Sequence, residues 1–310
     1  MSLWDQCILS KLYFQPEHLL LAFDQDDIPI GFIHFGVGMR DTCWVASPNL
    51  GEGSSSSDGL IHALCIIPNP DEDRIAQQLI AHAVGCMRQA GFERCIAVGS
   101  MTSSVFYLGI ADGDNLMGVL HSDTRTAGWL ERSGFRNIVE TECWDLPLDA
   151  FRPPVDRQQI AIRRTCSISR ILDESHPNWW VSTVLGHCDQ SRFNLIAHGP
   201  ERVEMEILFW YPDSTIRGID SNTARLALPA IVQEETFRER LVCLIAESAR
   251  QLQQERKRTI RVVTTRGDAP MHLLLNRLGF RLVRNGREMI LPSDHAVPAA
   301  PSGDGSLFAG

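Results

Sequence analysis

Two apolar runs near the start of the chain, HLLLAFD (residues 18–24) and PIGFIHFGVG (29–38), flank the polar stretch QDDI and predict a β-hairpin. GLIHALCII (59–67) is apolar nearly throughout, the pattern of a strand buried on both faces. The period then changes. Ile75, Leu79, Ala83 and Met87 recur at helical spacing up to Gly91, which predicts a long helix ending there. RCIAVGS (94–100) reads as another buried strand, TRTAGWLERSGF (124–135) as a short helix ending at Gly134, and RNIVETECWDL (136–146) as a final strand.

The second half repeats this order. FNLIAHG and VEMEILFWY predict a hairpin, and ARLALPAIV predicts a strand. A long helix follows over 234–254, with Phe237, Leu241, Leu244, Ile245 and Ala249 on one face. TIRVVTT, APMHLLLNRLGF and RLVRNGREMIL predict a strand, a short helix and the last strands. DTRTAGWLERSGFR and DAPMHLLLNRLGFR share an Asp, a Leu, an Arg and Gly-Phe-Arg at equal spacing. That echo, set in the same element order, argues for tandem copies of one fold. The expected division is a first domain over 1–150, a Pro-containing linker over 151–160, a second domain over 161–292 and an unstructured tail over 293–310. The Ser- and Gly-rich stretch 47–59 reads as a loop.

A chain of 310 residues suits two domains of this size. Its net charge of −9 offers no basic stripe for nucleic acid and opposes an anionic membrane surface, so neither is expected as a partner. No apolar run reaches the ~20 residues of a membrane span. Nine cysteines without a CxxC pair, and a start lacking the signal-peptide pattern, point to reduced thiols and a cytoplasmic location.

Hairpin, strand, long helix, strand, short helix ending in Gly-Phe, last strand: this order resembles the GNAT superfamily of acyl-CoA N-acyltransferases, over nearly the whole chain and twice. FYLGIADGDNLMGVLHSD (106–123) and RPPVDRQQIAIRR (152–164) resemble segments of bacterial tandem GNAT proteins. The resemblance implies an α/β (α+β) fold of two GNAT-like domains, each a mixed, mostly antiparallel sheet flanked by helices. It implies acetyl-CoA or CoA as cofactor and a small-molecule or peptide amine as acceptor. The pantetheine arm would pair with strand backbone around Leu64, Cys65, Ile66 and Ile67. The pyrophosphate would sit on the start of the long helix, at Arg74, Ile75 and Ala76.

The family's phosphate loop has Arg or Gln, two residues, Gly, one residue, then Gly or Ala. Here those positions hold Asp71, Arg74 and Ala76, and in the second half Gln233, Thr236 and Arg238. The first half therefore reads as the better cofactor site, although Asp71, Glu72 and Asp73 bring negative charge to it. Asn69 as N-cap with Glu72 three residues on reads as a capping box, so the acids also fit a helix that satisfies its own start.

The family's tyrosine acid, four residues before the Gly of Gly-Phe, is replaced by Leu130 and Leu275, and Asp123 and Asp268 read as caps of the short helices. His62 is the candidate base, because an imidazole titrates near neutral pH. Tyr107, beside the GIADGD loop, is the candidate replacement acid. A core histidine and a packing tyrosine are the competing readings. The chain thus reads as an N-acetyltransferase for an unidentified amine or, alternatively, as a non-catalytic GNAT pair serving as a binding or scaffolding module.

Overall fold

The computed structural model describes residues 4–38, 58–100, 104–108, 115–174, 179–199, 202–212, 220–228, 234–292 and 308–309. A π-helical turn, Asp5–Leu9, precedes the hairpin of β1 (Leu19–Phe23) and β2 (Pro29–Val37). Then come β3 (Gly59–Ile66), α1 (Glu72–Gln89), β4 (Cys95–Ala97), a short β5 (Val119–Leu120), α2 (Thr124–Arg132) and β6 (Arg136–Pro147). The second half opens with α3 (Arg157–Thr165), β7 (Cys166–Leu172) and α4 (Trp179–Val184). It continues with β8 (Cys188–Ala197), β9 (Arg202–Pro212), β10 (Thr223–Ala227), α5 (Glu235–Gln254), β11 (Thr259–Thr265), α6 (Ala269–Leu278) and β12 (Arg281–Leu291). β13 (Phe308–Ala309) pairs with β1, so part of the segment expected to be an unstructured tail returns to the sheet edge.

Two expectations change here. α3 begins at Arg157, inside the stretch expected to be linker, because the Asp156 carboxylate accepts from the Gln159 N–H at 2.9 Å and caps it. More consequentially, the last strands do not close their own halves. One continuous sheet runs β13-β1-β2-β3-β4-β12-β6-β11-β10-β9-β8-β7. β12, from the end of the chain, pairs with β4 of the first half (Met289↔Ala97), while β6 pairs with β11 of the second (Val262↔Trp144). The two exchanged strands also pair antiparallel with each other, from Arg281↔Asp145 to Ile290↔Arg136.

The buried side chains still divide into separate clusters. One packs α1 on the first part of the sheet and takes Met289 and Leu291 from β12. Another packs α5 and α6 on the second part and takes Trp144 and Leu146 from β6. A third lies apart from both long helices, joining Cys7, Ile8, Val105, Phe106 and Leu108 to Val181, Val184, Leu185, Leu208 and Trp210. No described helix is long and apolar enough to cross a membrane.

Candidate active site

β3 and β4 run parallel and pair over Gly59↔Cys95, Leu60↔Ile96 and Ile61↔Ala97. One further bond, Gly99 N–H to the Ile61 carbonyl at 3.2 Å, ends the ladder. Beyond it the strands diverge. At that point β3 is irregular: Phe35 of β2 opposes Ile61, but His34 opposes Ala63, so His62 is the extra residue of a bulge. The bulge explains the facing. Ile61, Leu64 and Ile66 all point into the α1 core, an odd step that regular alternation forbids. His62 is thereby turned to the opposite face, where Phe32 and His34 of β2 also stand. β10 and β11 repeat the divergence after Arg225↔Arg261, but β10 pairs with β9 without a register shift.

On that opposite face His34 and His62 lie with ring centroids 5.0 Å apart. Phe106 sits 4.5 Å from the first and 4.7 Å from the second. His34 Nδ1 is 3.0 Å from the Tyr107 hydroxyl. Trp4 closes the cluster edge-on to Phe32 and Tyr107. Gly36 leaves room for two imidazoles, since a Cβ there would stand 3.2 Å from His18 Nδ1 and 3.6 Å from His62 Nε2. The structure thus brings the sequence candidates His62 and Tyr107 into one cluster. His34, the hairpin histidine that the sequence offers as a second candidate base, joins them, whereas Phe106 and Trp4, which complete the cluster, come from elements about 100 residues apart in sequence and carry no local signal.

Burial governs the electrostatics. It lowers the basicity of His62 well below the usual imidazole range, with His34 and then His18 adding to the effect. Burial, and secondarily His18, bring His34 down to about 3. The expectation that His62 titrates near neutral pH is therefore corrected: both rings are neutral at physiological pH. Burial, then the nearby Cys65, raises the Tyr107 phenol, which keeps its proton. Among the described residues no group of His, Cys, Asp and Glu is placed to hold a metal ion.

The start of α1 departs from the expected capping box. The N-cap is Asp71, without a side-chain cap bond, and the Asn69 side chain instead accepts from the Asp71 N–H at 2.9 Å. The acids are turned to α2. Glu72 pairs with Arg125 at 2.6 Å. Asp73 accepts from Trp129 Nε1 at 2.7 Å and from Arg132 at 2.6 Å. Asp71 lies 3.5 Å from Arg74. The acids are thus matched by three arginines, and Glu72 and Asp73 dock α2, whereas Asp71 pairs within α1. Arg125, Trp129 and Arg132 follow i, i+4, i+7 spacing, a helix face that was legible in the sequence.

The other proposed cofactor positions separate by exposure. Cys65 and Ile67 are exposed, and Arg74 is half-exposed. Ile66, Ile75 and Ala76 are buried in the α1 core, and the Ile75 N–H is given to the Asp71 carbonyl. The amides at the open end of the helix are then those of Asp73 and Arg74. In the second half the corresponding Thr236 hydroxyl is engaged by Glu234. Gln233, the GIADGD loop and most of 47–59 lie outside the described residues. Leu130 and Leu275 are fully buried, and Asp123 and Asp268 cap α2 and α6 through Thr126 N–H at 3.0 Å and Met271 N–H at 3.1 Å.

One expected result follows from the α2 contacts. Trp129 is 3% exposed, so losing its acceptor leaves a buried indole N–H unsatisfied. Asp73→Ala should cost ~1–3 kcal/mol, whereas Glu72→Ala, which breaks an ion pair with half-exposed Arg125 and orphans no buried donor, should cost less than ~1 kcal/mol. Asp73→Asn keeps an acceptor and should lie near the native chain in chemical denaturation.

No protein-family model matches the chain, and no curated protein matches its sequence. Solved structures do. A tandem GNAT protein from the clavulanic acid biosynthesis pathway aligns over 92% of this chain and 86% of its own, with TM-score 0.61 and 11% identity. The glucosamine N-acetyltransferase region of a fungal multi-domain β-N-acetylglucosaminidase aligns over 93% of this chain but 36% of its own, with TM-score 0.61 and 16% identity. A GCN5-related N-acetyltransferase from Anabaena variabilis aligns over 94% of this chain and 68% of its own, with TM-score 0.53 and 10% identity. The chain has the fold of the GCN5-related N-acetyltransferases, in its tandem form.

Proposed function

We propose that the chain is an acyl-CoA N-acyltransferase whose first half takes the cofactor. The observation that carries this reading is the divergence of β3 from β4 at the His62 bulge, which opens strand backbone beside a helix start whose acids are matched by arginines. The pantetheine arm would add to β3 along 63–66, and the pyrophosphate would meet the amides of Asp73 and Arg74 with the Arg74 side chain beside them. The CoA thioester brings the activated acyl group. The acceptor nitrogen, entering as the free amine, attacks the thioester carbonyl carbon, and its proton leaves to water that neutral His62 would hold by a hydrogen bond. The C–S bond breaks, and the departing thiolate takes the Tyr107 proton. His34, 3.0 Å from the phenol oxygen, stands where it can orient Tyr107, and the phenolate regains its proton from the water that took the amine's.

Under this reading Tyr107→Phe should bind acetyl-CoA as the native chain does and lose ~100-fold or more in kcat. CoA release across a panel of amines, with calorimetry for binding, measures both. Unchanged turnover in Tyr107→Phe would remove Tyr107 from the chemistry.

The second reading, a non-catalytic module, fits the second half. There Thr236 and Arg238 replace the small residues of the phosphate loop, and Thr236 is already bonded to Glu234. A native chain that binds no acetyl-CoA would extend that reading to the whole protein.

A further inference from the structure

We propose that the second half acts as a positioning body for the first, through a buried clamp in which Lys11 and His187 fix the segment that carries Tyr107. The clamp itself stands on geometry, and only its consequence for catalysis rests on the acyl-transfer reading above.

Lys11 is 9% exposed. Its ammonium donates to the carbonyls of Thr183 at 3.3 Å and Val184 at 3.1 Å, at the end of α4, where helix carbonyls lack intrahelical donors. Its third neighbour is His187 Nδ1 at 3.0 Å. An ammonium has three donors and no acceptor, so Nδ1 must accept and the ring proton must sit on Nε2. Nε2 lies 3.1 Å from the Leu108 carbonyl, the acceptor that this tautomer requires. With Lys11 as the ammonium, every donor and acceptor from Lys11 to Leu108 is matched by the neutral Nε2–H tautomer of His187 alone.

Leu108 follows Tyr107, and the segment 104–108 is held at three points from three parts of the molecule. The Tyr13 hydroxyl donates to the Val105 carbonyl at 3.0 Å. His34 meets the Tyr107 hydroxyl. His187, from the second half, holds Leu108. Tyr107 itself has φ 61°, in the left-handed region that a tyrosine occupies only when its surroundings impose it. The clamp and that backbone strain are independent signs that the Tyr107 position is enforced.

The clamp also has a direction with pH. The titratable and charged groups around it are Lys11 and Cys7 of the N-terminal segment, Cys188 and Asp189 beside His187, and Arg225 of β10. Burial, then Lys11, brings His187 down to about 4. A proton on Nδ1 would set an N–H against the Lys11 ammonium. The clamp is therefore whole at neutral pH and is lost as pH falls through about 4.

Two measurements on the full chain test this, and neither needs a cofactor. Long-range ¹H–¹⁵N correlation of the imidazoles, with His187 assigned by its loss in His187→Gln, should show a neutral Nε2–H tautomer from pH 8 to pH 5. Amide exchange over 104–108 should rise at least tenfold in His187→Ala and in Lys11→Met, with α1 unchanged. His187→Gln, which keeps a donor and an acceptor, should restore part of the protection. An Nδ1–H tautomer, titration near 6.5, or native exchange over 104–108 in His187→Ala overturns the clamp. Should His187→Ala not fold, the tautomer in the native chain decides. If the clamp holds but Tyr107→Phe keeps full turnover, the acyl-transfer reading fails and the clamp stands.

Discussion

Met289→Ala, in β12 of the second half, is expected to destabilise the first half, and Trp144→Ala, in β6 of the first half, is expected to destabilise the second. Met289 is fully buried in the α1 cluster, and Trp144 is 7% exposed in the α5 cluster. Truncations of this kind cost ~2–5 kcal/mol for Met and ~3–5 kcal/mol for Trp, a large share of the ~5–15 kcal/mol that holds a domain together. The two effects should appear crosswise in amide exchange. Protection should fall along α1 in Met289→Ala and along α5 in Trp144→Ala. A chain ending at residue 280 should go further, since β4 and β6 both lose the strand between them. Its first half should lose its cooperative transition. Two self-closed halves would give the opposite result, with α5 deprotected and α1 intact.

Acid should unfold the protein early. His34 is brought down to about 3 and His187 to about 4, and His62 and His18 are lowered as well, all with burial as the leading cause. The unfolded chain offers the same imidazoles at their ordinary ~6.5. Between those limits the unfolded state binds protons that the folded state refuses. Stability is thus complete above pH ~6.5 and falls with pH down to the folded values. For His34 alone the full shift corresponds to something on the order of 3–5 kcal/mol. Urea midpoints should drop steadily from pH 7 to pH 4. His34→Gln, which cannot titrate, should flatten that slope by about one proton. A midpoint that is constant from pH 7 to pH 5 would mean that these rings are not held neutral.

The local elements were legible because their signals are local. The period of β3, the 75–87 stripe of α1 and the Asp caps of α2 and α6 each lie within one segment, and the structure places them there. The exchange of β6 and β12 was not legible. Both strands are long and of similar pattern, and nothing in either states which sheet it joins. α3 had a signal that the two prolines before it obscured: Asp156 stands three residues before Gln159, the spacing of an N-cap and the amide it binds. The acids at the start of α1 read, in sequence, as satisfying their own helix, and the partners of Glu72 and Asp73 were not legible, because Arg125, Trp129 and Arg132 lie more than 50 residues on. The cluster of imidazoles and aromatic rings was half legible. His62 and Tyr107 stood out as chemistry, whereas their environment is assembled from β2, the N-terminal segment and 104–108, and only the fold sets the burial that keeps the rings neutral.

The central proposal is that an acyl-CoA enters the first half at the divergence of β3 and β4. Amide exchange of the full chain, with and without saturating acetyl-CoA, tests it most directly. New protection is expected over 63–66 of β3 and at Asp73 and Arg74, with 234–238 at the start of α5 unchanged. Protection confined to 234–238, or no protection anywhere at millimolar acetyl-CoA, would contradict it.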